Sequence, residues 1–213
     1  MMNSDRRIST LIFDWDGTLV DSAQLGLVAF QQTFAELGVP FAQETYEKSY
    51  SPNWYLIYEA LGLRKDLWDV ADEVWNRHYR EQCAPLIEGV ADTLLSLRRK
   101  GYQLAVVTSG NRIRVCRELE QSVLKDAFAV TICNEDVVNK KPHPEGLERA
   151  IRALDVGPSQ CAYVGDAPED IEMGRRANVF TIGVRSAYPS SGRVLSAKPD
   201  LYLENIVELL SHF

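Results

Sequence analysis

Short runs of apolar and β-branched residues punctuate this chain at Ile8–Phe13, Leu104–Thr108, Phe128–Cys133, Cys161–Val164 and Phe180–Val184. Each is short for a helix and too continuously apolar for a strand with one wet face, which predicts strands buried on both sides. Between and after them the period changes. Ala91, Leu94 and Leu95, then Leu147, Ala150, Ile151 and Leu154, then Ile206, Leu209, Leu210 and Phe213 recur at three- or four-residue intervals, predicting helices with one apolar face. Pro144 suits the first turn of the second of these, and Gly157-Pro158 marks its end. Buried strands alternating with helices imply an α/β fold built on a doubly wound parallel sheet.

One interval is too long for a crossover. Between the first and second strands the chain runs on well past what one helix needs, so residues 22–85 are expected to form an inserted small α-helical domain, with 1–21 and 86–213 as the core domain. Leu27, Phe30, Phe34 and Leu37 make one helical face closed by Gly38, and Leu67, Val70, Ala71, Val74 and His78 make another. Ser51-Pro52 and Gly62 bound a third helix holding Trp54, Ile57, Tyr58 and Leu61. Such a bundle is expected to sit over the sheet as a cap.

Composition narrows the function classes. The 213 residues are 46% hydrophobic and 25% charged, ordinary globular values, which leaves disordered and disulfide-scaffold readings without support. The 30 acidic residues outnumber the 23 Lys and Arg, giving a net charge of -7 with no basic stripe, so nucleic acid is not an expected partner. Cys83, Cys116, Cys133 and Cys161 are far apart, form no CxxC pair, and are read as free thiols. The opening MMNSDRRIST leads into a run broken by Asp14 and Asp16, too short and acidic for a signal peptide or membrane span. A cytoplasmic protein with no membrane partner is the expectation, and oligomeric state has no signal.

Asp14 and Asp16 end the first strand in LIFDWDGTLVDS. Ligands in open parallel sheets bind beyond the carboxyl ends of the strands, and residues two apart in extended chain point to one side, so both carboxylates can face one reaction centre. Gly17 permits the tight turn that follows. One carboxylate can attack phosphorus while its neighbour protonates the leaving group. Taken alone, such a pair is more often an acidic strand end leading into a solvated turn.

The rest of the chain changes that balance. DWDGTLVDS resembles the first signature of the haloacid dehalogenase-like superfamily, and further motifs of that superfamily recur in order at later strand ends. VVTSG at Val106–Gly110 resembles the second, with Thr108 as the phosphate-binding hydroxyl and Ser109, Gly110 and Asn111 as further donors, although Ser-Gly-Asn is also an ordinary turn. KKPHPE resembles the third, with Lys141, the lysine before Pro142, neutralising the phosphoryl site. VGDAPEDIEMG resembles the fourth, with Asp166 and Asp170 one helical turn apart. Lys140 stands where relatives often carry Gly, and Asn178 where Gly is common.

The resemblance implies a Rossmann-like core with a helical cap and a phosphatase acting on small phosphorylated metabolites through an aspartyl-phosphate on Asp14. Asp16 would be acid and then base, and Mg²⁺ would be held by Asp14, the backbone of Asp16, and Asp166. Asp170 would ligate through water, orient Lys141, or serve as a first-turn acidic residue. Asp16, Asp166 and Asp170 argue against a dehalogenase. Phosphoglycolate phosphatase-like members offer the nearest likeness, a β-phosphoglucomutase-like mutase is the main alternative, and a catalytically silent phospho-ligand binder is the alternative of another class. A phosphonate hydrolase would need a Schiff-base lysine on the cap, where Lys48 and Lys65 are available but unremarkable. Tyr50, Trp54, Tyr55 and Arg64 could line the substrate entrance or pack in the cap, His78 falls on an apolar face, and Arg112 could meet a substrate carboxylate or lie exposed at a helix start.

Overall fold

The computed structural model describes residues 8–80 and 83–213. The start of the chain through Arg7, part of the opening read above as no leader, lies outside the described residues. Six parallel strands form one sheet: β1 (Thr10–Phe13), β2 (Gln103–Val107), β3 (Val130–Ile132), β4 (Cys161–Gly165), β5 (Phe180–Val184) and β6 (Leu201–Leu203), in the spatial order β3-β2-β1-β4-β5-β6. The chain winds outward from β1 to β3 and then returns to β4 beside β1, so the order reverses at the β1/β4 boundary. That reversal opens a crevice at the strand ends.

Both faces of the sheet are covered, as continuous apolar strands require. Leu11 and Phe13 join a cluster with Leu94, Leu97, Val115 and Leu209 on one face. Ile12 and Tyr163 join Leu147, Ala150 and Leu154 on the other. The covering helices are α5 (Val90–Arg99), α6 (Arg112–Glu120), α7 (Glu145–Leu154), α8 (Pro168–Arg176) and α9 (Ser191–Val194). Asn178 adopts φ 58, the left-handed conformation that its substitution for glycine requires.

Between β1 and α5 the chain forms α1 (Ala23–Glu36), α2 (Gln43–Ser49), α3 (Trp54–Ala60) and α4 (Trp68–Arg80). Phe30, Phe34, Tyr46, Ile57, Tyr58, Leu63 and Ala71 make a third cluster of their own. Burial of each large side chain there contributes about 1.5–3 kcal/mol. Three donors, Trp54 Nε1 at 2.8 Å and the Tyr55 and Tyr58 hydroxyls at 3.0 Å each, converge on Asp72 and satisfy it inside this bundle.

Three expectations change. The inward face of α4 is Ala71, Val74 and Tyr79, while Val70 is 44% exposed and His78 bonds Glu36 at 3.0 Å. A cluster already filled by aromatic rings selects the face that carries Tyr79. The C-terminal apolar repeat forms a 3₁₀ helix, Ile206–Ser211, started by Asn205, whose side chain accepts from the Val207 N–H. Finally, α2 and β6 add elements with no strong signal in the sequence, one polar and the other three residues long. Among the described residues no helix is long and apolar enough to cross a membrane, and the four cysteines are free.

Candidate active site

A cavity of about 310 Å³ lies where the strand ends of β1, β2 and β4 meet the inserted helices. Asp14, Asp16, Thr108 and Asp166 line its floor, and Tyr50, Trp54, Trp75 and Tyr79 line its walls. Asp14 continues β1, its N–H donating to the Val164 carbonyl at 2.8 Å, which locks it to the ladder beside β4. Gly17 then turns the chain at φ 76, and a Cβ there would lie 2.4 Å from Asp166 Oδ2. The turn is tight because the fourth motif packs directly against it.

The two carboxylates of DWD have separate cationic partners. Lys141 Nζ lies 2.9 Å from Asp14 Oδ1 and 2.7 Å from Asp170 Oδ1. Asp170 in turn accepts from the backbone N–H groups of Asp166 and Ala167 at 3.1 and 3.0 Å, which starts α8 and fixes the carboxylate that fixes the lysine. Lys141 precedes a cis Pro142 and is buried. Asp16 instead accepts from Ser22 Oγ at 2.7 Å and from Arg114 Nη1 and Nη2 at 2.8 and 2.5 Å. Asp166 accepts from Thr18 Oγ1 at 3.2 Å and Ser186 Oγ at 2.6 Å.

These settings pull the charges apart. Burial pushes the Asp14 carboxyl up to about 7, Lys141 pulling it down and Asp170 pushing it up. Burial also raises Asp16, but the charge and hydrogen bonds of Arg114, with the Ser22 bond, outweigh it and hold that carboxyl below its ordinary value. Burial and the neighbouring Asp170 and Asp14 hold Asp166 well above. Burial would lower Lys141, yet Asp14 and Asp170 overcome it and keep the ammonium charged.

Carboxylate oxygens of Asp14, Asp166 and Asp170 come within 4.8 Å of one another. Three buried carboxylates share the single Lys141 charge, and Asp14 Oδ1 has the ammonium nearby but no well-aligned hydrogen-bond donor. This excess of hard oxygen donors fits a divalent cation such as Mg²⁺. Asp170 Oδ1 is engaged by Lys141 and its Oδ2 by two backbone N–H groups, whereas each Asp166 oxygen meets one hydroxyl, from Thr18 and from Ser186.

Thr108 is buried and its hydroxyl oxygen accepts from the Gly110 N–H at 2.9 Å, leaving the hydroxyl proton available. Ser109, Gly110 and Asn111 also line the cavity. The Asn111 side chain, however, accepts from the Arg114 N–H at the start of α6 and donates to Glu135, so it is spent on local structure. Tyr50 and Trp54 line the cavity. Tyr55 stacks on Trp68 at 5.0 Å, and Arg64 pairs with Asp66 at the surface. Arg112 pairs with Asp136, and Lys48 and Lys65 pair with Glu44 and Glu59, so none of these enters the site.

Sequence reasoning missed Thr18, Ser22, Ser186 and Arg114. The first three sit in polar loops, where one hydroxyl looks like another. For Arg114 a signal existed: residues 114, 115, 118 and 119 share one helical face, so Arg114 and Glu118 ride the stripe that Val115 and Leu119 bury.

A model of the family "Haloacid dehalogenase-like hydrolase" matches residues 11–184. Pyrophosphatase PpaX of Bacillus pumilus (strain SAFR-032) is 30% identical over 212 residues, spanning 98% of this chain and 97% of the relative. Among solved structures, a predicted phosphoglycolate phosphatase from Haemophilus somnus 129pt superposes with a TM-score of 0.85 at 22% identity, over 96% of this chain and 97% of its own. The β-phosphoglucomutase of Clostridium difficile gives 0.79 at 21% identity, over 95% and 93%. These two likenesses show the fold. With motifs, sheet order and family match in agreement, the chain is a member of the haloacid dehalogenase-like hydrolase family.

Proposed function

We propose that this chain is a cytoplasmic, Mg²⁺-dependent phosphatase that hydrolyses small phosphate esters or anhydrides through a phosphorylated Asp14. The observation that carries the reading is the pairing of Asp14 and Asp16 with different buried cations at one cavity floor. The two carboxylates stand in unlike surroundings: Asp14 shares Lys141 with Asp170, while the Arg114 fork and Ser22 favour the ionised form of Asp16, the form that takes a proton from water.

In the first step an Asp14 oxygen attacks phosphorus, the bond from phosphorus to the leaving oxygen breaks, and Asp16, which must enter this step in its protonated form, passes that proton to the leaving oxygen. In the second, Asp16 takes a proton from water, the water oxygen attacks phosphorus, and the bond to Asp14 breaks. Lys141 balances the phosphoryl charge, and Thr108 donates its hydroxyl proton to a phosphoryl oxygen. Asp14 and Asp166, with the Asp16 carbonyl, would hold a divalent cation, which would neutralise charge on the nucleophile and the phosphoryl group. Asp170 acts through Lys141. The inserted helices shield the crevice from bulk water.

The names of relatives suggest pyrophosphate and phosphoglycolate as first substrates to try. Phosphate release from these and a panel of sugar phosphates is measured with Mg²⁺ or EDTA, for the wild type and Asp14→Asn. Metal-dependent release lost in the variant is expected. Isomerised sugar phosphate without free phosphate would point to a mutase, and binding without either product to a silent receptor.

A further inference from the structure

Arg114 is 7% exposed, whereas the ion-paired Arg77, Arg149, Arg175 and Arg176 lie at the surface. Burying a guanidinium costs several kcal/mol unless its partners repay it, so its neighbours say what it is for. Nη1 and Nη2 form a fork on the two oxygens of Asp16 at 2.8 and 2.5 Å. Behind it, Glu118 Oε2 accepts from Nη1 at 3.2 Å and from Trp15 Nε1 at 2.7 Å, so the residue between the two aspartates grips the same support. The Tyr79 ring of α4, on the inserted bundle, lies 5.0 Å from the guanidinium carbon. The fork also explains Gly110, where a Cβ would stand 2.6 Å from Arg114 Nη2 and 3.3 Å from Asp16 Oδ2.

We propose that Arg114 is a positioning residue: its guanidinium, backed by Glu118 and Tyr79, aims the Asp16 carboxyl at the leaving-group oxygen. The inference rests on the reading of Asp16 as the acid. A planar fork fixes both the position and the plane of a carboxyl group, which a single Ser22 bond cannot do. Each terminal nitrogen gives an N–H to Asp16 and Nη1 gives another to Glu118, so the contacts describe a carboxyl clamp, and the test separates that role from binding of a substrate anion in the cavity that Arg114 also lines. Because Tyr79 comes from the inserted helices, the acid is held by core and insertion together.

The test is a series of phosphate esters graded from acidic phenols to simple alcohols, turned over by the wild type, Asp16→Asn, Arg114→Met and Arg114→Lys with Mg²⁺. A misplaced acid is felt most where the leaving oxygen needs a proton. Asp16→Asn and both Arg114 variants should lose at least about tenfold more kcat on alkyl than on aryl esters, with smaller changes in KM. Arg114→Lys keeps the charge without the fork, and carries the test if the methionine variant does not fold. Should Asp16→Asn steepen the series while the Arg114 variants lose activity evenly, lose none, or change only KM, Arg114 is a structural or substrate-binding residue and the proposal fails. Should Asp16→Asn itself leave the series unchanged, the acid is elsewhere and both readings fall.

Discussion

Lys141 reaches Asp14 across the sheet's switch point, Nζ to Oδ1 at 2.9 Å, with only 4% of the lysine side chain and 6% of the aspartate exposed. The same ammonium holds Asp170 at 2.7 Å, so one cation serves two buried carboxylates. Replacing it by Met would leave both without a counter-charge. Removing one partner of a buried pair costs about 3–5 kcal/mol. Lys141→Met is therefore expected to lower the unfolding midpoint in urea and to abolish phosphate release. An unchanged midpoint would mean the cluster is held some other way.

Asp14 makes stability depend on pH in a definite direction. Its folded pKa of about 7 lies above the ordinary 3.8, so between those values the folded state keeps a proton that the unfolded chain has released. Stability from this group is full below about pH 4 and is lost as pH rises toward 7. In EDTA, wild type minus Asp14→Asn should show that fall, and the variant should be the more stable protein at neutral pH. Titrating groups remote from Asp14 cancel in the difference, whereas Asp166, raised in part by the Asp14 charge, contributes to it. A difference curve rising across pH 4–7 would contradict the assignment.

Added Mg²⁺ should reverse this penalty. At about a hundred times its Kd a ligand specific to the folded state adds about 2.7 kcal/mol, which thermal unfolding with and without EDTA measures. Asp166→Asn should abolish the gain. The same gain in that variant would place the ion elsewhere.

Gly17 couples the first motif to the fourth. Alanine there must adopt φ 76 and place Cβ 2.4 Å from Asp166 Oδ2. Strained backbone of this kind costs about 1–3 kcal/mol before the clash is counted. Gly17→Ala is expected to be destabilised and to bind Mg²⁺ more weakly, read by calorimetry. Wild-type affinity would show that the turn is free to relax.

The parts of the site that could be read in the sequence stand at abrupt changes of pattern. Asp14 and Asp16 interrupt an apolar run, and Asp166 ends another, so strand periodicity alone puts them at the sheet edge. Lys141 could be placed only by its motif, because its burial depends on Asp170 from a distant helix. Arg114 was hidden for a related reason. In RIRVCRELE charges fill most positions, and which of them faces inward is decided by how Val115 and Leu119 of α6 join the cluster that holds Phe13 and Trp15. His78 misled because its apolar spacing matched a core face, while the aromatic packing of α4 turned Tyr79 inward instead. Local pattern determines which elements form; the docking of one element on another decides which polar group meets which.

The covalent intermediate is the centre of the proposal, and it can be caught directly. Enzyme mixed with a substrate and Mg²⁺ is quenched in acid within the first turnovers, digested, and analysed by mass spectrometry. The peptide containing Asp14 should carry one added phosphoryl group, lost on treatment with hydroxylamine and absent in Asp14→Asn. Turnover with no phosphoryl group on Asp14 at any quench time, or turnover retained by Asp14→Asn, would contradict it.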